Sequence, residues 1–122
     1  MSSTKINSRN YKKILENMKD KVVVILYYWD NCGHCHELRP IWESSIKSLK
    51  KIDKFDICEV EYSNMHYLEN DIKTMHAFPS IIVYKNKNIY AEFKDNRTPE
   101  NILAFLKKYV DKPDKPKAKP KK

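Results

Sequence analysis

Residues 22–40 have the sequence VVVILYYWDNCGHCHELRP and join three features in one continuous segment. Residues 22–29 form an unbroken apolar run of mostly β-branched and aromatic side chains, which is typical of a central strand buried on both faces. Cys32 and Cys35 follow at once, and a long amphipathic pattern after them predicts a helix that continues to about Lys50. The sequence therefore predicts that the two thiols lie at a junction between a buried strand and a helix.

The spacing of apolar residues on either side of this segment predicts the remaining elements. In chain order they are a short edge strand at 4–6, a helix from an N-cap at Ser8 to about Asp20, a strand at 55–62, a helix carrying Met65, Leu68, Ile72 and Met75, a hairpin of strands at 80–84 and 89–93 with Asn in place of Gly at its turn, and a helix capped by Thr98. Because strands separated by helices usually pair in parallel, only the final hairpin is expected to be antiparallel. The predicted fold class is α/β, with a central mixed sheet flanked by helices on both faces.

Length and charge limit the kinds of protein to which the chain can belong. The chain has 122 residues, which is the size of one domain, and its net charge is +8. We predict a folded domain at residues 1–110 and a disordered Lys/Pro-rich tail at 111–122, which carries half of the excess charge. The domain itself is only mildly basic, so nucleic acid is not an expected partner. The longest apolar run has eight residues, against about 20 for a membrane-spanning helix, so no membrane span is expected.

The amino-terminal region and the composition bear on location. The first thirteen residues contain no apolar stretch of the kind that a signal peptide needs, so the sequence as it stands predicts a cytoplasmic protein. Lys, Asn and Ile are abundant and Gly33 is the only glycine, as an A/T-biased coding sequence would give. This composition is compatible with a viral protein, which would act in the virion or in the host cytoplasm.

The spacing of Cys32 and Cys35 suits thiol–disulfide exchange, in which a thiolate is the nucleophile. At the N-terminus of a helix, unsatisfied N–H groups and the helix dipole favour a thiolate at Cys32. Cys35 lies one turn further along, is expected to be deeper and less acidic, and is placed to attack a mixed disulfide held by Cys32. Gly33 leaves room for a substrate backbone, and a protonated or hydrogen-bonding His34 would stabilise the thiolate further. This chemistry needs neither an organic cofactor nor a metal ion.

Three motifs together resemble the thioredoxin superfamily. They are the CGHC motif after a buried strand, Pro40 inside the following helix, and Phe78-Pro79-Ser80 ahead of a later strand. The Gly-His dipeptide is similar to that of the protein disulfide isomerase branch, and the resemblance covers roughly residues 3–110. It implies the thioredoxin fold, a cis-proline at Pro79 packed beside the dithiol, and a thiol–disulfide oxidoreductase that leans towards oxidase or isomerase activity.

The resemblance also implies the partners and the surface that meets them. The partners are protein thiols and disulfides together with a redox recycling partner, and the protein is expected to be a monomer. The substrate-binding surface is expected at Trp29, Phe78 and Pro79, next to Gly33 and His34. Pairing with the substrate backbone is expected to matter more there than side-chain specificity.

Two positions concern the acidity of Cys35. Arg97 lies in a segment similar to the one whose arginine, in the isomerases, approaches the second cysteine and lowers its pKa, so the resemblance gives Arg97 that role. The family carries a buried acid six residues before the first cysteine, as a proton acceptor for the second, but this chain has Leu26 there. The substitutes that the sequence leaves open are Asp30, His36, Glu37 or water.

Other uses of the two thiols stay open on the sequence alone. A zinc site needs four ligands, usually as two pairs. His34 and His36 cannot easily join both cysteines on one ion at a helix start, and Cys58, His66 and His76 are scattered. A protein-binding module that docks a partner at the Pro79 groove while its basic tail touches nucleic acid is a second alternative, and a cytosolic disulfide reductase is a third. Cys58 itself alternates with Val60 and is expected to be a buried core thiol.

Overall fold

The computed structural model describes residues 1–110. The predicted Lys/Pro-rich tail, residues 111–122, lies outside the described residues. The elements in chain order are β1 (Thr4–Lys5), α1 (Tyr11–Asn17), β2 (Val22–Tyr28), α2 (Gly33–Lys47), β3 (Phe55–Glu61), a 3₁₀ helix (Tyr62–Tyr67), β4 (Ser80–Lys85), β5 (Asn88–Glu92) and α3 (Pro99–Val110). None of the helices in this part of the chain is long and apolar enough to cross a membrane.

The five strands form one mixed sheet in the order β1-β3-β2-β4-β5. β3 pairs in parallel with β1 and β2, whereas β4 pairs antiparallel with β2 and β5. β2 is thus the central strand, as the apolar run at 22–29 predicts. The predicted fold class, a mixed sheet with helices on both faces, is confirmed.

Successive side chains of β2 point to opposite faces of the sheet, so the strand supplies two hydrophobic clusters. The first core layer, under α1, contains among others Ile14, Leu15, Val23, Ile25, Tyr27, Cys58, Val60, Ile82 and Tyr84. The second core layer, under α2 and α3, contains among others Val22, Val24, Leu26, Leu38, Trp42, Ile57, Val83, Ile102 and Leu106. Burial on both faces explains why the sequence of β2 is continuously apolar rather than alternating.

The expectation that only the final hairpin is antiparallel is wrong, because β4 also runs antiparallel to β2. Parallel pairing requires a crossover that carries the chain back along the sheet. The connection from β3 to β4 contains a 3₁₀ helix of six residues and makes no such crossover. The chain therefore enters β4 at the edge where β2 and β3 end, with Ser80 opposite Tyr27.

The predicted helix around residues 65–75 is also wrong, since only the 3₁₀ helix Tyr62–Tyr67 forms there. The apolar spacing reflects burial rather than helicity. Met65, Leu68 and Ile72 are buried in the first core layer, and Met75 packs against it. Five of the seven residues between these anchors are His, Tyr, Asn, Asp and Thr, which favour helix interiors only weakly. The segment therefore buries the expected side chains without a regular helix.

The first helix begins at Tyr11, and Ser8 is not its N-cap. A cap at Ser8 would need the backbone N–H groups of Asn10 and Tyr11. Both are bonded to Asn7 instead: the N–H of Asn10 donates to Asn7 Oδ1 at 3.1 Å, and the N–H of Tyr11 donates to the Asn7 carbonyl at 3.1 Å. The Asn7 turn therefore delays the helix start.

The hairpin turn and the cap of α3 both match their predictions. Asn86 and Lys87 have φ values of 53° and 68°, the pair of positive values that a two-residue hairpin favours. Asparagine adopts this conformation more readily than most residues, so it replaces glycine as predicted. The Thr98 hydroxyl accepts a hydrogen bond from the N–H of Asn101 at 3.1 Å, and Pro99 takes the first helical position.

Two buried tyrosine hydroxyls form a hydrogen-bonded chain in the first core layer. Tyr84 Oη donates to the backbone carbonyl of Lys73 at 2.7 Å and lies 2.5 Å from Tyr27 Oη. Because the single hydroxyl hydrogen of Tyr84 is used towards Lys73, Tyr27 is the donor to Tyr84. Burial raises the pKa of both hydroxyls, that of Tyr84 to about 12. These two hydrogen bonds attach the irregular segment before β4 to the sheet.

We predict that Tyr84→Phe destabilises the protein more than Tyr27→Phe. Tyr84→Phe leaves the Lys73 carbonyl and the Tyr27 hydroxyl without their partner, which costs about 2 kcal/mol. Tyr27→Phe keeps the bond from Tyr84 to Lys73 and costs about 1 kcal/mol. Urea unfolding at neutral pH measures both losses, and equal losses would contradict the assignment of donors.

Candidate active site

The candidate site lies at the edge of the sheet where β2 and β3 end and β4 begins. Tyr28 pairs with Glu61 at the ends of β2 and β3, and Tyr27 pairs with Ser80 at the start of β4. The segment that leads from β2 into α2 therefore meets the segment that leads into β4. The first segment carries the dithiol and the second carries the proline loop.

Cys32 is the N-cap residue of α2, as predicted. Its Sγ accepts a hydrogen bond from the backbone N–H of Cys35 at 3.1 Å, and its thiol donates to the backbone carbonyl of Phe78 at 3.7 Å. The backbone N–H of Cys32 donates to the carbonyl of Trp29 at 3.0 Å, which closes the turn between β2 and the helix. The sulfur thus satisfies one of the N–H groups that the start of a helix leaves unpaired.

Cys35 lies in the first turn of α2 and is buried, with 7% of its surface exposed. Burial raises the pKa of its thiol to about 11, and a hydrogen bond with Cys32 adds to the rise. A backbone hydrogen bond from Trp29 and the positive charge of Arg97 act in the opposite direction. Cys35 is buried, as predicted, and its thiol is neutral at neutral pH.

Gly33 and His34 occupy the exposed first turn of α2. A Cβ added at Gly33 would meet no atom within 4 Å, so the space beside this residue is open to solvent and to a passing chain. The His34 side chain is 77% exposed, and its Nδ1 lies 3.4 Å from Glu37 Oε1. Within residues 1–110, no hydrogen bond joins the His34 ring to Cys32. Any effect of His34 on the first thiol therefore acts through its charge.

The peptide bond between Phe78 and Pro79 is cis. The 3.7 Å contact of the Phe78 carbonyl with the first thiol brings this loop beside the dithiol. Pro79 is itself buried, and it lines a cleft of about 550 Å³ together with His34 and Arg97. Arg97 is exposed, and its charge lowers the pKa of Cys35, which is the direction that the resemblance implies.

Three aromatic residues cluster beside the dithiol, and two of them, Trp29 and Phe78, contact Cys32 through their backbone carbonyls. Trp29 is 39% exposed, Tyr62 is 49% exposed and Phe78 is half-buried. The Tyr62 ring centroid lies 5.8 Å from that of Trp29 and 5.7 Å from that of Phe78, so Tyr62 joins the two predicted residues into one surface. The sequence-based site prediction does not include Tyr62. Its signal is an aromatic residue directly after the end of β3, at the same edge as the dithiol.

The structure also places the groups proposed for the missing buried acid. Leu26 is buried, and Asp30, His36 and Glu37 all lie at the surface. Directly opposite Leu26 on the neighbouring strand lies Glu59, which is only 2% exposed. The sequence-based prediction does not include Glu59 either. Its signal is a charged residue inside the otherwise apolar pattern of β3, since a buried carboxylate needs a reason.

Cys58 lies in the first core layer, as predicted for a core thiol. Burial raises its pKa to about 12. In the described part of the chain, no three side chains of His, Cys, Asp or Glu come together as a metal-binding group. The three free thiols therefore differ in accessibility: Cys32 is half-buried, whereas Cys35 and Cys58 are buried.

We predict that an alkylating reagent distinguishes these thiols in the reduced protein. Iodoacetamide reacts with thiolates, so at neutral pH it should modify Cys32 first and leave Cys35 and Cys58 largely intact. Labelling of Cys35 should rise with pH towards its pKa of about 11. Peptide mapping by mass spectrometry measures all three sites in one sample. Equal labelling of Cys58 and Cys32 at neutral pH would rule out the burial described here.

The comparison with protein families matches one domain. The thioredoxin family model matches residues 2–108. Among curated relatives, the protein disulfide-isomerase of Medicago sativa is 35% identical over 98 residues, which cover 74% of this chain and 18% of that protein. The protein disulfide-isomerase of Aspergillus oryzae is 32% identical over 108 residues, covering 85% of this chain and 20% of that protein. The chain spans about a fifth of the length of the curated relatives it matches.

Solved structures share the fold. The solution structure of the first thioredoxin domain of mouse protein disulfide-isomerase A4 aligns with a TM-score of 0.68 and 22% identity, covering 95% of this chain and 78% of that chain. The first two thioredoxin domains of Saccharomyces cerevisiae Eps1p align with a TM-score of 0.71 and 23% identity, covering 93% of this chain and 43% of that chain. The family match, the mixed sheet and the dithiol at the start of α2 agree with one another. This chain therefore belongs to the thioredoxin family.

Proposed function

We propose that this protein is a thiol–disulfide oxidoreductase that acts on protein thiols and disulfides through Cys32 and Cys35, leaning towards oxidase or isomerase activity. One observation carries the proposal. Two sulfurs lie at the start of one helix, where the half-buried Cys32 accepts the N–H of the buried Cys35. An accessible sulfur with a shielded thiol behind it is the arrangement that a two-step exchange requires.

The exchange begins at Cys32 because Cys35 is buried. In the oxidised protein, a substrate thiolate attacks Cys32 Sγ, the bond between the two cysteines breaks, and Cys35 leaves with the electron pair. A mixed disulfide now joins Cys32 to the substrate. Attack by a second substrate thiolate on the substrate's own sulfur releases a substrate disulfide and the reduced dithiol. If that attack fails, Cys35 attacks Cys32, restores the disulfide and releases the substrate thiol.

The surface around Cys32 suits an extended substrate segment. The Trp29, Tyr62 and Phe78 rings give an apolar border, and the open space at Gly33 leaves room for a chain to pass. The backbone beside Pro79 is the partner that we propose for the substrate backbone. Because most of this recognition is apolar or backbone-mediated, the site accepts many protein substrates rather than one sequence. A separate recycling partner must restore the oxidised state.

We expect Cys32→Ser to abolish turnover of a disulfide substrate, because the accessible nucleophile is lost. Cys35→Ser should instead accumulate mixed disulfides at Cys32, since the residue that releases them is missing. Cys58→Ser is the matched control, because it removes a thiol from the core and should keep full turnover. Non-reducing gels and an insulin reduction assay measure both outcomes. Turnover in Cys32→Ser would defeat the mechanism.

The proposed oxidase or isomerase activity predicts a value for the reduction potential of the Cys32–Cys35 couple. Thioredoxin lies near −270 mV and protein disulfide isomerase near −180 mV, so we expect a value of about −180 mV. His34 between the cysteines is the feature that supports this expectation. Equilibration against glutathione measures the potential. A value near that of thioredoxin would assign the protein to the reductases, and the absence of any reversible couple would remove redox catalysis altogether.

A further inference from the structure

We propose that Glu59 is the proton acceptor for Cys35, in place of the acid that the family carries at the position of Leu26. The inference rests on the proposed exchange function and identifies a residue that the function needs. It assigns the role to a different strand, β3 instead of β2.

The position of Glu59 follows from the register of the sheet. β2 and β3 are parallel, and Leu26 is the direct partner of Glu59. Side chains of paired residues project from the same face, so Glu59 emerges on the face that α2 covers. Glu59 and Cys35 line the same cleft, which has a volume of about 590 Å³. A carboxylate on β3 therefore lies directly across the ladder from position 26, on the same face of the sheet.

The hydrogen bonding of Glu59 leaves one oxygen free. Its Oε2 accepts hydrogen bonds from Arg39 at 3.0 Å and from the Ser3 hydroxyl. Its Oε1 is buried and has no hydrogen-bond partner in the described part of the chain. An unpaired buried carboxylate oxygen costs folding free energy, on the order of 1–3 kcal/mol. Glu59 lines the same cleft as Cys35, so we infer that this oxygen is suited to accept the Cys35 proton.

Arg39 explains how a carboxylate is tolerated at this depth. Burial alone would lower the pKa of Arg39, but its hydrogen bond and charge interaction with Glu59 outweigh that effect and raise it. Arg39 therefore stays charged and balances Glu59. Burial raises the pKa of Tyr28, and the negative charge of Glu59 adds to that rise. The charge of Glu59 therefore acts on a side chain of β2. The charged and titratable groups that line the cleft with Glu59 are the amino terminus at Met1, Lys5 on β1, Tyr28 on β2, Asp30 between β2 and α2, and Cys35, His36, Arg39, Glu43 and Lys47 on α2.

The other nearby acids are placed less well. Glu37 is 79% exposed and pairs with His34. Asp30 is exposed, and its carbonyl lies 2.6 Å from His36 Nε2. Glu61 accepts hydrogen bonds from Ser63 and from the N–H of Asp30 at the rim of the site. Of the carboxylates around the dithiol, Glu59 is the one that combines burial with an unpaired oxygen in the cleft of Cys35.

The step that needs this acceptor is release of the mixed disulfide. The Cys35 proton passes to the Glu59 carboxylate, and the Cys35 sulfur uses its electron pair to bond Cys32. The bond from Cys32 to the substrate breaks, and the substrate sulfur leaves with that electron pair. Glu59 returns the proton through solvent to the substrate sulfur. In the reverse direction, protonated Glu59 supplies the proton that the departing Cys35 takes up.

The test measures the rate at which a preformed mixed disulfide on Cys32 is released, from neutral pH to about pH 11, the pKa of Cys35. Glu59→Gln keeps the shape and the hydrogen bond to Arg39 but cannot take a proton. We expect release to slow by roughly 100-fold at neutral pH, the lower end of what a positioned base contributes. The deficit should shrink as pH approaches 11, where Cys35 ionises unaided. A loss of packing would instead slow release equally at every pH.

Two further variants complete the test. Glu43→Gln removes a carboxylate that also pairs with Arg39, at 4.0 Å, but is exposed, and release should stay unchanged. Leu26→Glu added to Glu59→Gln should restore release, because it returns an acid to the position on β2 that lies directly across from residue 59. If Glu59→Gln does not fold, Glu59→Asp carries the test, since it keeps the charge but withdraws the acid by one methylene and should slow release several-fold.

The outcomes separate this inference from the proposed function. If Glu59→Gln or Glu59→Asp releases the mixed disulfide as fast as the wild-type protein does, Glu59 is not the proton acceptor. The exchange function then still stands. A deficit that is the same at all pH values, or that Leu26→Glu does not restore, also overturns it. If the wild-type protein forms no mixed disulfide at Cys32, the exchange function itself has failed.

Discussion

The carboxyl end of β2 is fixed between two neighbours of opposite direction, β3 in parallel and β4 antiparallel, and this double pairing places the site. The parallel neighbour ends at the same edge, so Glu59 and Glu61 lie beside the residues that lead to the dithiol. The antiparallel neighbour begins at that edge, so the Phe78 carbonyl faces Cys32. If β4 ran parallel to β2, the proline loop would lie at the far end of the sheet. The strand directions therefore bring together segments 46 residues apart in the chain.

The first turn of α2 places its two sulfurs in different environments, although the two cysteines are only three residues apart in the chain. Cys32 occupies the capping position, where Ser, Asp or Asn would normally accept a backbone N–H. Cys35 points inward and is held neutral by burial. One helix end thus supplies an exposed sulfur and a shielded thiol from a single local geometry. The chemistry of the pair depends on this difference in environment, since the two residues are chemically identical.

Local patterns in the sequence predict much of this arrangement. The apolar run predicts the central strand, the position of Cys32 predicts the helix cap, and Thr98 predicts the start of α3, because each depends on a few consecutive residues. The direction of β4 and the irregular segment around Met65 are not predictable in this way. Both depend on how the chain returns across the sheet, which the apolar spacing alone does not specify.

The buried acid is missed for a similar reason. The family pattern has an acid at the position of Leu26, on the strand that leads to the dithiol. Glu59 lies directly across the ladder from that position, on the same face of the sheet. Residues 26 and 59 are 33 apart in the chain, but the sheet makes them neighbours. Only the strand register reveals this proximity.

The burial of Cys58 has a consequence for the fidelity of oxidation. Three thiols allow three pairings, and only the pairing of Cys32 with Cys35 can form while the core stays closed. A wrong disulfide requires the first core layer to open, so its rate depends on the free energy of that opening. A substitution that loosens this layer, far from the dithiol, would then appear as oxidative scrambling before any loss of intrinsic activity. In this chain the accuracy of disulfide pairing therefore depends on the stability of the first core layer.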